Sequence, residues 1–505
     1  MSQSPALLAG QWRAAKSSAS FHAENPATSE KLPGEFPVSA WADCDAALNA
    51  AAEAATILRN SPPEQLAKFL TRFAERIEVR KVEIVEAAHA ETALAKSPRL
   101  GDVELPRTTN QLRQAAAAAL EGSWALPTID AKLNIRSMLT PIGPVLCIGP
   151  NNFPFAYNGV AGGDFASAIA AGNPVIAKAH PCHPLTTKLL AEEAFAALGE
   201  THLPLATVQM LYQISPEDGL RMVADKRLGA VGFTGSRAAG MKLKTAADAV
   251  GKPAYLEMSS INPVVILPGA LAERGEKIVE EFAGSCLLGG GQFCTSPGLV
   301  ILFAGADAEK FISAVKAKLE SATPVTLLSS GVASNLAAGV KALLGAGAEL
   351  VTGGSPLAGN KFANTLLRVS GEKFLALPEK LQTEVFGNAS LVVVVRDAAQ
   401  AVEVLAQLEG NLTGSIYSDT NGADDALYGN LSPLLRSRVG RLLNDKMPTG
   451  VAVTAAMNHG GPFPATGHPG FTAVGMPASL RRFAMLQCFD NVRPHRLPSA
   501  LRDKI

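Results

Sequence analysis

The sequence predicts an α/β protein built on a doubly wound parallel sheet. Two observations support this class. The chain has 505 residues, which is too many for one hydrophobic core, so two or three domains are expected. From Pro141 onward, short apolar runs bounded by Gly and Pro alternate at least three times with helical segments. That alternation is typical of a parallel sheet with helices on both faces, and ligands of such sheets bind beyond the carboxyl ends of the strands.

The elements follow in order. Residues 40–120 carry apolar side chains at helical spacing. Predicted strands and helices then alternate through "GPVLCIGP", "GGDFASAIAAG" (closed by Gly172), "NPVIAKA", "HPLTTKLLAEEAFAAL", "ATVQMLYQI", "PEDGLRMVAD", "LGAVGFTGS" and "RAAGMKLKTAADAV". "PAYLEMSS" and "NPVVIL" predict two further strands. In the second half of the sequence, predicted strands and helices alternate less regularly. The stretch "RSMLTP" and the C-terminal segment are expected to be peripheral.

The amino-acid composition argues against several classes of function. Lys plus Arg equals Asp plus Glu at 45 each, which gives no support for a nucleic-acid groove or a polybasic membrane patch. None of the six cysteines forms a C-x-x-C pair or a Cys/His cluster of zinc-ligand spacing, so we expect free thiols and no metal site. No secretory signal or membrane-length apolar run is found, and the cytoplasm is the expected compartment.

Polar residues directly follow several predicted strands. Asn152 could donate its amide to an oxyanion, or belong to a turn beside Pro154. Lys178 could reach ribose or phosphate, or be a solvated surface lysine. Gly235 and Ser236 could bind pyrophosphate at a helix N-terminus, or simply form a turn and helix cap. Glu257 in "YLEMSS" is a candidate general base, or a glutamate on the outward face of its strand.

Cys294 lies in "GGGQFCTSPG", after three glycines. A thiol can be an inert small hydrophobe, which is how Cys147 and Cys286 are interpreted. Glycines at 289, 290 and 291 instead let the backbone approach a ligand closely. A backbone N–H beside the thiol could then face the same substrate oxygen as Asn152. Cys294 is therefore the candidate nucleophile.

Together these residues resemble the aldehyde dehydrogenase superfamily over nearly the whole chain. The motifs are "PNNFP", "VIAKAHP", "GFTGS", "LEMSSINP", "GGGQFCT", "TEVFG", "PTGVAV" and "AMNHGGPFPAT", in the family's order and spacing. The sequence is most similar to the branch of 2,5-dioxopentanoate (α-ketoglutaric semialdehyde) dehydrogenases and NADP-dependent fatty aldehyde dehydrogenases. Commoner branches carry Gly-Gly-Lys where this chain has Ser259, Ser260 and Ile261.

The resemblance implies an NAD(P)-dependent oxidation of an aldehyde to its acid. Cys294 would attack the aldehyde, Asn152 and the Cys294 N–H would hold the oxyanion, and Glu257 would activate water against the thioester. The implied cofactor residues are Lys178, His180, Gly235, Ser236, Glu384 and Phe386. The resemblance also implies a dinucleotide-binding domain (1–124 and 143–258), a catalytic domain (259–462), and a small β element (125–142 and 478–505) that assembles a homodimer or homotetramer.

Three departures bear on specificity. Pro181 stands where many NAD-preferring members have a glutamate that binds ribose, which favours NADP and leaves Lys178 and His180 free to attract a 2′-phosphate. Asn388 replaces the usual proline after "VFG", which leaves the rigidity of the Glu384 loop open. No arginine lies between Asn152 and Gly163, which counts against 2,5-dioxopentanoate and keeps medium- or long-chain aliphatic aldehydes as the alternative.

Three other functions are weaker alternatives, because Glu257, Cys294 and Asn152 are all present. These are a CoA-acylating enzyme, a catalytically silent binding protein and a generic nucleotide-binding module.

Overall fold

The computed structural model describes residues 3–16 and 19–503. Residues 1–2 and 17–18 of the expected cofactor domain, and 504–505 of the expected β element, lie outside the described residues. In the first half the strands are β1 Ala6–Leu8, β2 Gln11–Arg13, β3 Ser20–Phe21, β4 Phe36–Ser39, β5 Thr128–Asp130, β6 Ile135–Pro141, β7 Val145–Ile148, β8 Val175–Lys178, β9 Val208–Leu211, β10 Gln213–Ile214, β11 Ala230–Thr234 and β12 Ala254–Glu257. The helices are α1 Trp41–Leu58, α2 Pro63–Val79, α3 Lys81–Thr92, α4 Leu105–Glu121, α5 Gly163–Ala170, α6 Pro184–Thr201, α7 Pro216–Ala224 and α8 Arg237–Asp248, with a π-helix at Lys96–Glu104.

The predicted helical region is present but is divided. Arg80, whose backbone (φ −93°, ψ 12°) leaves the helical region, separates α2 from α3. Helix α2 buries Leu66, Phe69, Leu70, Phe73 and Ile77, which recur at helical spacing. This apolar stripe packs against α4, α5 and α6.

The first sheet has the order β12-β11-β7-β8-β9-β1-β2, and its first five strands are parallel. Helices α2 to α6 form one helical layer, while α1, α7 and α8 form another, so the doubly wound sheet predicted from the sequence is present. Register aligns the strand ends: Ile148 pairs with Lys178, and Thr234 pairs with Glu257. The polar residues that follow these strands therefore share one edge of the sheet.

In the second half the strands are β13 Val264–Ile266, β14 Leu299–Phe303, β15 Glu349–Thr352, β16 Pro356–Leu357, β17 Lys361–Phe362, β18 Thr365–Ser370, β19 Ala389–Val395, β20 Asn411–Tyr417, β21 Val439–Asn444 and β22 Ala484–Asp490. The helices are α9 Pro268–Leu287, α10 Ala306–Ser321, α11 Ser330–Gly345, α12 Gly371–Ala376, α13 Pro378–Leu381, α14 Ala398–Ala406 and α15 Asp425–Arg438. They surround a second sheet of order β15-β18-β19-β14-β13-β20-β21. The predicted strand "NPVVIL" is β13 and belongs to this second sheet, not to the first.

Two three-stranded sheets complete the fold, together with the short hairpin of β16 and β17. One has the order β10-β4-β3, so the predicted strand "ATVQMLYQI" is divided: β9 stays in the first sheet and β10 leaves it. The other has the order β22-β6-β5, in which β22 pairs with β6 along its whole length, from Ala484 opposite Pro141 to Asp490 opposite Ile135. The segments predicted to be peripheral thus form a sheet of their own.

Candidate active site

Cys294 and Glu257 lie together between the two large sheets. Glu257 is the last residue of β12, is 1 % exposed, and forms a bridge to Thr466 in the loop after β21. Cys294 follows α9 and a short glycine turn, and Asn262, just before β13, donates its side-chain amide to the Cys294 carbonyl at 2.9 Å. The outward-facing alternative for Glu257 does not describe the structure, because its carboxylate points into the protein.

His459 links these two side chains. Its Nε2 lies 3.5 Å from Cys294 Sγ and 3.1 Å from Glu257 Oε1. The imidazole is buried, and Glu257 Oε2 has no hydrogen-bond partner among the described residues. When the proton of the neutral ring is on Nδ1, Nε2 can take the thiol proton, and the resulting imidazolium then donates that proton to the carboxylate in a hydrogen bond.

His459 lies in the motif "AMNHGGPFPAT", but the sequence alone did not indicate a role for this histidine. The signal available was a histidine followed by two glycines. A Cβ on Gly460 would lie 2.1 Å from the Phe471 carbonyl oxygen, and one on Gly461 would lie 2.2 Å from the Asn411 carbonyl oxygen. The His459 N–H donates to Thr472 Oγ1 at 3.0 Å. The glycines allow the close packing that fixes the imidazole.

The surroundings of Cys294 oppose its ionisation. Burial raises the pKa of the thiol well above its ordinary value, and the negative charge of Glu257 raises it further. Only a thiolate is an effective nucleophile, so the thiol must transfer its proton before it attacks. His459 is placed to receive it.

The same three side chains have donor atoms within 4.8 Å of one another, and in the described part of the chain they are the one grouping that could hold a metal ion. Metal ions bind the thiolate, which the raised pKa of Cys294 disfavours. The chemistry of this donor set therefore suits proton transfer better than metal binding, and the absence of a metal site stays a prediction.

Asn152 lies against the Cys294 loop. Its Nδ2 donates to the Gln292 carbonyl at 3.0 Å, two residues before Cys294. The backbone carbonyl of Asn152 accepts a hydrogen bond from Arg99 at 2.9 Å, and Arg99 forms an ion pair with the buried Glu104. Glu104 also accepts the N–H groups of residues 155 and 156. These contacts hold the Asn152 amide at the entrance to the thiol.

The three glycines before Cys294 adopt a backbone conformation that favours glycine. Gly289, Gly290 and Gly291 all have positive φ, of 57°, 67° and 68°. A Cβ on Gly291 would lie 2.1 Å from the Gly387 carbonyl oxygen. Gly291 therefore lets the Cys294 loop pack against the loop that holds Glu384 and Phe386. The close approach of this backbone to a ligand stays a prediction.

Lys178 and His180, two of the expected cofactor residues, lie at the edge of the first sheet. Lys178 ends β8, and burial lowers its pKa to about 8. Within the described ranges its ammonium has no hydrogen-bond or ion-pair partner. Burial, with the nearby charges of His183 and Lys178, lowers the pKa of His180 well below its ordinary value. The positive charge expected from His180 is therefore absent at neutral pH, and Lys178 alone supplies it.

Gly235 and Ser236 form the turn between β11 and α8. The Gly235 N–H donates to the Glu257 carbonyl at 3.1 Å, and Ser236 caps α8 by accepting from Ala239 N at 3.4 Å. Ser236 therefore acts as a helix cap, as one of the two predictions expected. It leaves the N-terminus of α8 available to an anion, because a cap side chain satisfies only one of the first N–H groups.

Glu384 and Phe386 line a cleft together with Ser260 and Gly291. Burial raises the pKa of Glu384 to about 7, and the polar groups of Ser259 and Ser260 oppose this rise. Asn388 is buried and donates to the Phe362 carbonyl and to Asn364 Oδ1, both at 2.8 Å. Hydrogen bonds thus anchor the chain just after this loop, where the family usually has a proline.

The model of the aldehyde dehydrogenase family matches residues 12–428. This chain belongs to the aldehyde dehydrogenase family. Its sequence is 37% identical over 98% of its length to alpha-ketoglutaric semialdehyde dehydrogenase 2 of Azospirillum brasilense, covering 96% of that protein. It is 33% identical over 91% of its length to an alpha-ketoglutaric semialdehyde dehydrogenase of Acinetobacter baylyi, covering 89% of that protein.

The solved structure of 1-pyrroline-5-carboxylate dehydrogenase from Thermus with bound NAD superimposes with a TM-score of 0.81 at 23% identity, covering 96% of this chain and 92% of that one. The fold predicted for this aldehyde dehydrogenase is thereby confirmed, as are the family resemblance and the reaction class, the oxidation of an aldehyde group. Among the helices described, none has the length and apolar character needed to cross a membrane.

Proposed function

We propose that this aldehyde dehydrogenase oxidises 2,5-dioxopentanoate to the corresponding dicarboxylic acid, using NADP or NAD, through a covalent intermediate on Cys294. The observation that carries the chemistry is the row of Cys294, His459 and Glu257, joined at 3.5 and 3.1 Å, in which the histidine and the glutamate are buried and the thiol is partly exposed. The substrate is proposed because both relatives described above, at 37% and 33% identity, are named alpha-ketoglutaric semialdehyde dehydrogenases.

The first step is attack by sulfur on the aldehyde carbon. His459 Nε2 takes the proton from Cys294 Sγ, and the imidazolium that forms is stabilised by the buried carboxylate of Glu257. The aldehyde oxygen becomes an oxyanion. The Asn152 amide exchanges its bond to the Gln292 carbonyl for that oxygen, and the Cys294 N–H is the second donor.

A nicotinamide cofactor, when bound, would accept the hydride that leaves the thiohemiacetal carbon and so would leave a thioester on Cys294. Hydrolysis then needs a base and a water molecule. Glu257 Oε2 has no partner among the described residues, whereas Oε1 is bound by His459. We infer that Oε2 accepts the proton of the attacking water. The C–S bond then breaks, the acid is released, and the Cys294 thiolate regains its proton from the His459 imidazolium.

The residues at the sheet edge fit a dinucleotide. Lys178 is a partly buried cation without a partner in the described ranges, which suits ribose hydroxyls or a phosphate. The N-terminus of α8 at Ser236, after Gly235, suits the pyrophosphate. Glu384 and Phe386 line the inner cleft, where the second ribose and the nicotinamide would lie. NADP is favoured over NAD because Pro181 offers no carboxylate; His180 lies beside the site as a neutral group.

We also propose the domain assignment given by the resemblance: residues 1–124 and 143–258 bind the dinucleotide, 259–462 carry catalysis, and 125–142 with 478–505 join subunits. Strand β22 lies at the edge of its sheet, and Met485 and Leu486 on it are 43% and 67% exposed. An exposed apolar edge strand is a pairing surface. A homodimer or homotetramer is therefore expected, and a monomer in light scattering at micromolar concentration would contradict it.

A substrate panel tests the proposal. Purified protein is given 2,5-dioxopentanoate, hexanal and decanal, with NAD and NADP in separate series, and reduced cofactor is monitored. The proposal expects 2,5-dioxopentanoate to have the highest kcat/KM. A preference for decanal would point to an aliphatic aldehyde dehydrogenase. Turnover that requires CoA would point to the acylating alternative, against which the buried Glu257 counts.

A further inference from the structure

Two arginines outside the predicted site lie beside it. Arg107 is on α4 and Arg441 is on β21, and both are partly buried. Among the described residues, neither guanidinium has a carboxylate within ion-pair distance. Arginines that are withdrawn from solvent usually have an acidic partner, because the charge is costly to desolvate. The pair is therefore available to an anion from outside the chain.

Arg107 is linked to His459 through Tyr157, which contacts both side chains. Its Nη2 donates to the Tyr157 hydroxyl at 3.3 Å, and the Tyr157 ring packs edge-on against His459 with centroids 6.0 Å apart. Its Nη1 donates to the Val451 carbonyl at 3.2 Å, and its Nε donates to Gln111 at 3.1 Å. Each Nη nitrogen carries two hydrogens, so each has one more N–H to donate.

Arg441 is linked by hydrogen bonds, through the backbone of Gly450, to the loop that holds Cys294. Its Nη1 and Nη2 both donate to the Gly450 carbonyl at 3.2 Å, and Nη2 also donates to Pro448 at 2.9 Å. The Gly450 N–H in turn donates to Thr295 Oγ1 at 3.2 Å, one residue after Cys294. The two arginines therefore bind consecutive carbonyls, those of Gly450 and Val451, of one loop that contacts the Cys294 segment.

The charges of both arginines act on the reacting thiol. The positive charge of Arg107 lowers the pKa of Cys294, opposing the larger effects of burial and Glu257. Burial lowers the pKa of Arg441, while the electrostatic effect of Cys294 raises it. An anionic group of a substrate whose aldehyde meets Cys294 would thus lie in the field of two cations.

We propose that Arg107 and Arg441 form a carboxylate-binding subsite that selects aldehydes bearing an acid group a few bonds from the reacting carbon. Arg107, with spare N–H groups, contacts the carboxylate. Arg441 is a positioning residue that holds the 448–451 loop and adds the second charge. The proposal rests on the function proposed above and supplies the arginines missing between Asn152 and Gly163, from other elements of the fold.

The test compares two substrates that differ in one group, 5-oxopentanoate and pentanal. Wild type is expected to prefer 5-oxopentanoate in kcat/KM. Arg107→Met keeps the apolar stem and removes the charge, and it should lower the preference by about tenfold or more, the value of one charge-assisted contact. Arg107→Lys keeps the charge without the planar fork and should give an intermediate preference. Arg441→Met should also lower the preference, and Arg441→Lys should restore part of it.

Arg113→Met is the matched control. Arg113 lies on the same helix, is half-exposed and pairs with Glu78 at the surface, so its loss should leave the preference unchanged. Equal preference in wild type and in both Arg107 variants would overturn the subsite. So would a wild-type preference for pentanal, although aldehyde oxidation would stand.

Binding of glutarate, measured by calorimetry, separates the subsite from the proposed function. Wild type should bind glutarate about tenfold more tightly than Arg107→Met. If wild type oxidises neither aldehyde but glutarate binding depends on Arg107, the proposed function fails and the subsite stands. If glutarate binding does not depend on Arg107, the subsite is refuted whatever the activity.

Discussion

Glu257→Gln should separate the two halves of the reaction. Glutamine keeps the size of the side chain and can keep the contact with His459 that Glu257 Oε1 makes at 3.1 Å. It removes the carboxylate whose Oε2 has no partner among the described residues, and therefore the proposed base for water. It also removes the negative charge that helps to raise the pKa of Cys294. This offsets the loss of the carboxylate that stabilises the His459 imidazolium, so acylation should remain faster than hydrolysis.

A positioned general base contributes about 10²–10⁴-fold, so steady-state turnover should fall at least about a hundredfold, or about 2.7 kcal/mol. Rapid mixing with cofactor and aldehyde should show a burst of reduced cofactor close to one per active site. Cys294→Ser is the control, because it cannot form the thioester and should show no burst. Unchanged steady-state turnover in Glu257→Gln, or a loss of the burst, would refute the assignment.

Four further outcomes are expected. Cys294→Ser should bind cofactor yet retain less than about a tenth of the activity, because a hydroxyl is a poorer nucleophile than a thiol. Without cofactor, alkylation of Cys294 by iodoacetamide should still accelerate as the pH rises past neutral into the alkaline range, since only the thiolate reacts and burial raises the pKa of this thiol; a plateau near neutral pH would contradict this. Pro181→Glu should shift preference from NADP toward NAD by repelling the 2′-phosphate, and a wild type that favours NAD tenfold in kcat/KM would show the inference to be wrong. His459→Asn should slow the burst itself, because it removes the base that receives the thiol proton; an unaltered burst rate would assign that proton to another group.

The sequence predicted those parts of the fold that depend on local patterns. Lys178, Ser236 and Glu257 each follow a short apolar run, and the parallel register of β8, β11 and β12 brings them to one edge of the sheet. Division of β9 from β10 could not be predicted, because both lie in one apolar run and only tertiary packing turns the second into another sheet. The transfer of β13 to the second sheet has the same cause.

The site was predicted only where a residue carries its own signal. Cys294 stands after a glycine run, whereas His459 lies 165 residues further along the chain and meets it only in the folded structure. Arg107 occupies a helix whose periodicity indicates no more than a partly exposed position, and its partner Val451 is 344 residues away. Contacts over such separations leave no periodic trace in a single sequence.

The position of His459 resolves a conflict between the two steps of the proposed reaction. Glu257 must be ionised to activate water, yet its negative charge raises the pKa of the thiol that must first become a thiolate. Moving the carboxylate away would ease ionisation of Cys294 but would remove the base from the thioester. A histidine in contact with both groups takes the thiol proton, and the cation that results is stabilised by the same carboxylate. The charge that opposes the thiolate when His459 is neutral therefore favours the ion pair once the proton has moved, and Glu257 can serve both steps without leaving its place at the end of β12.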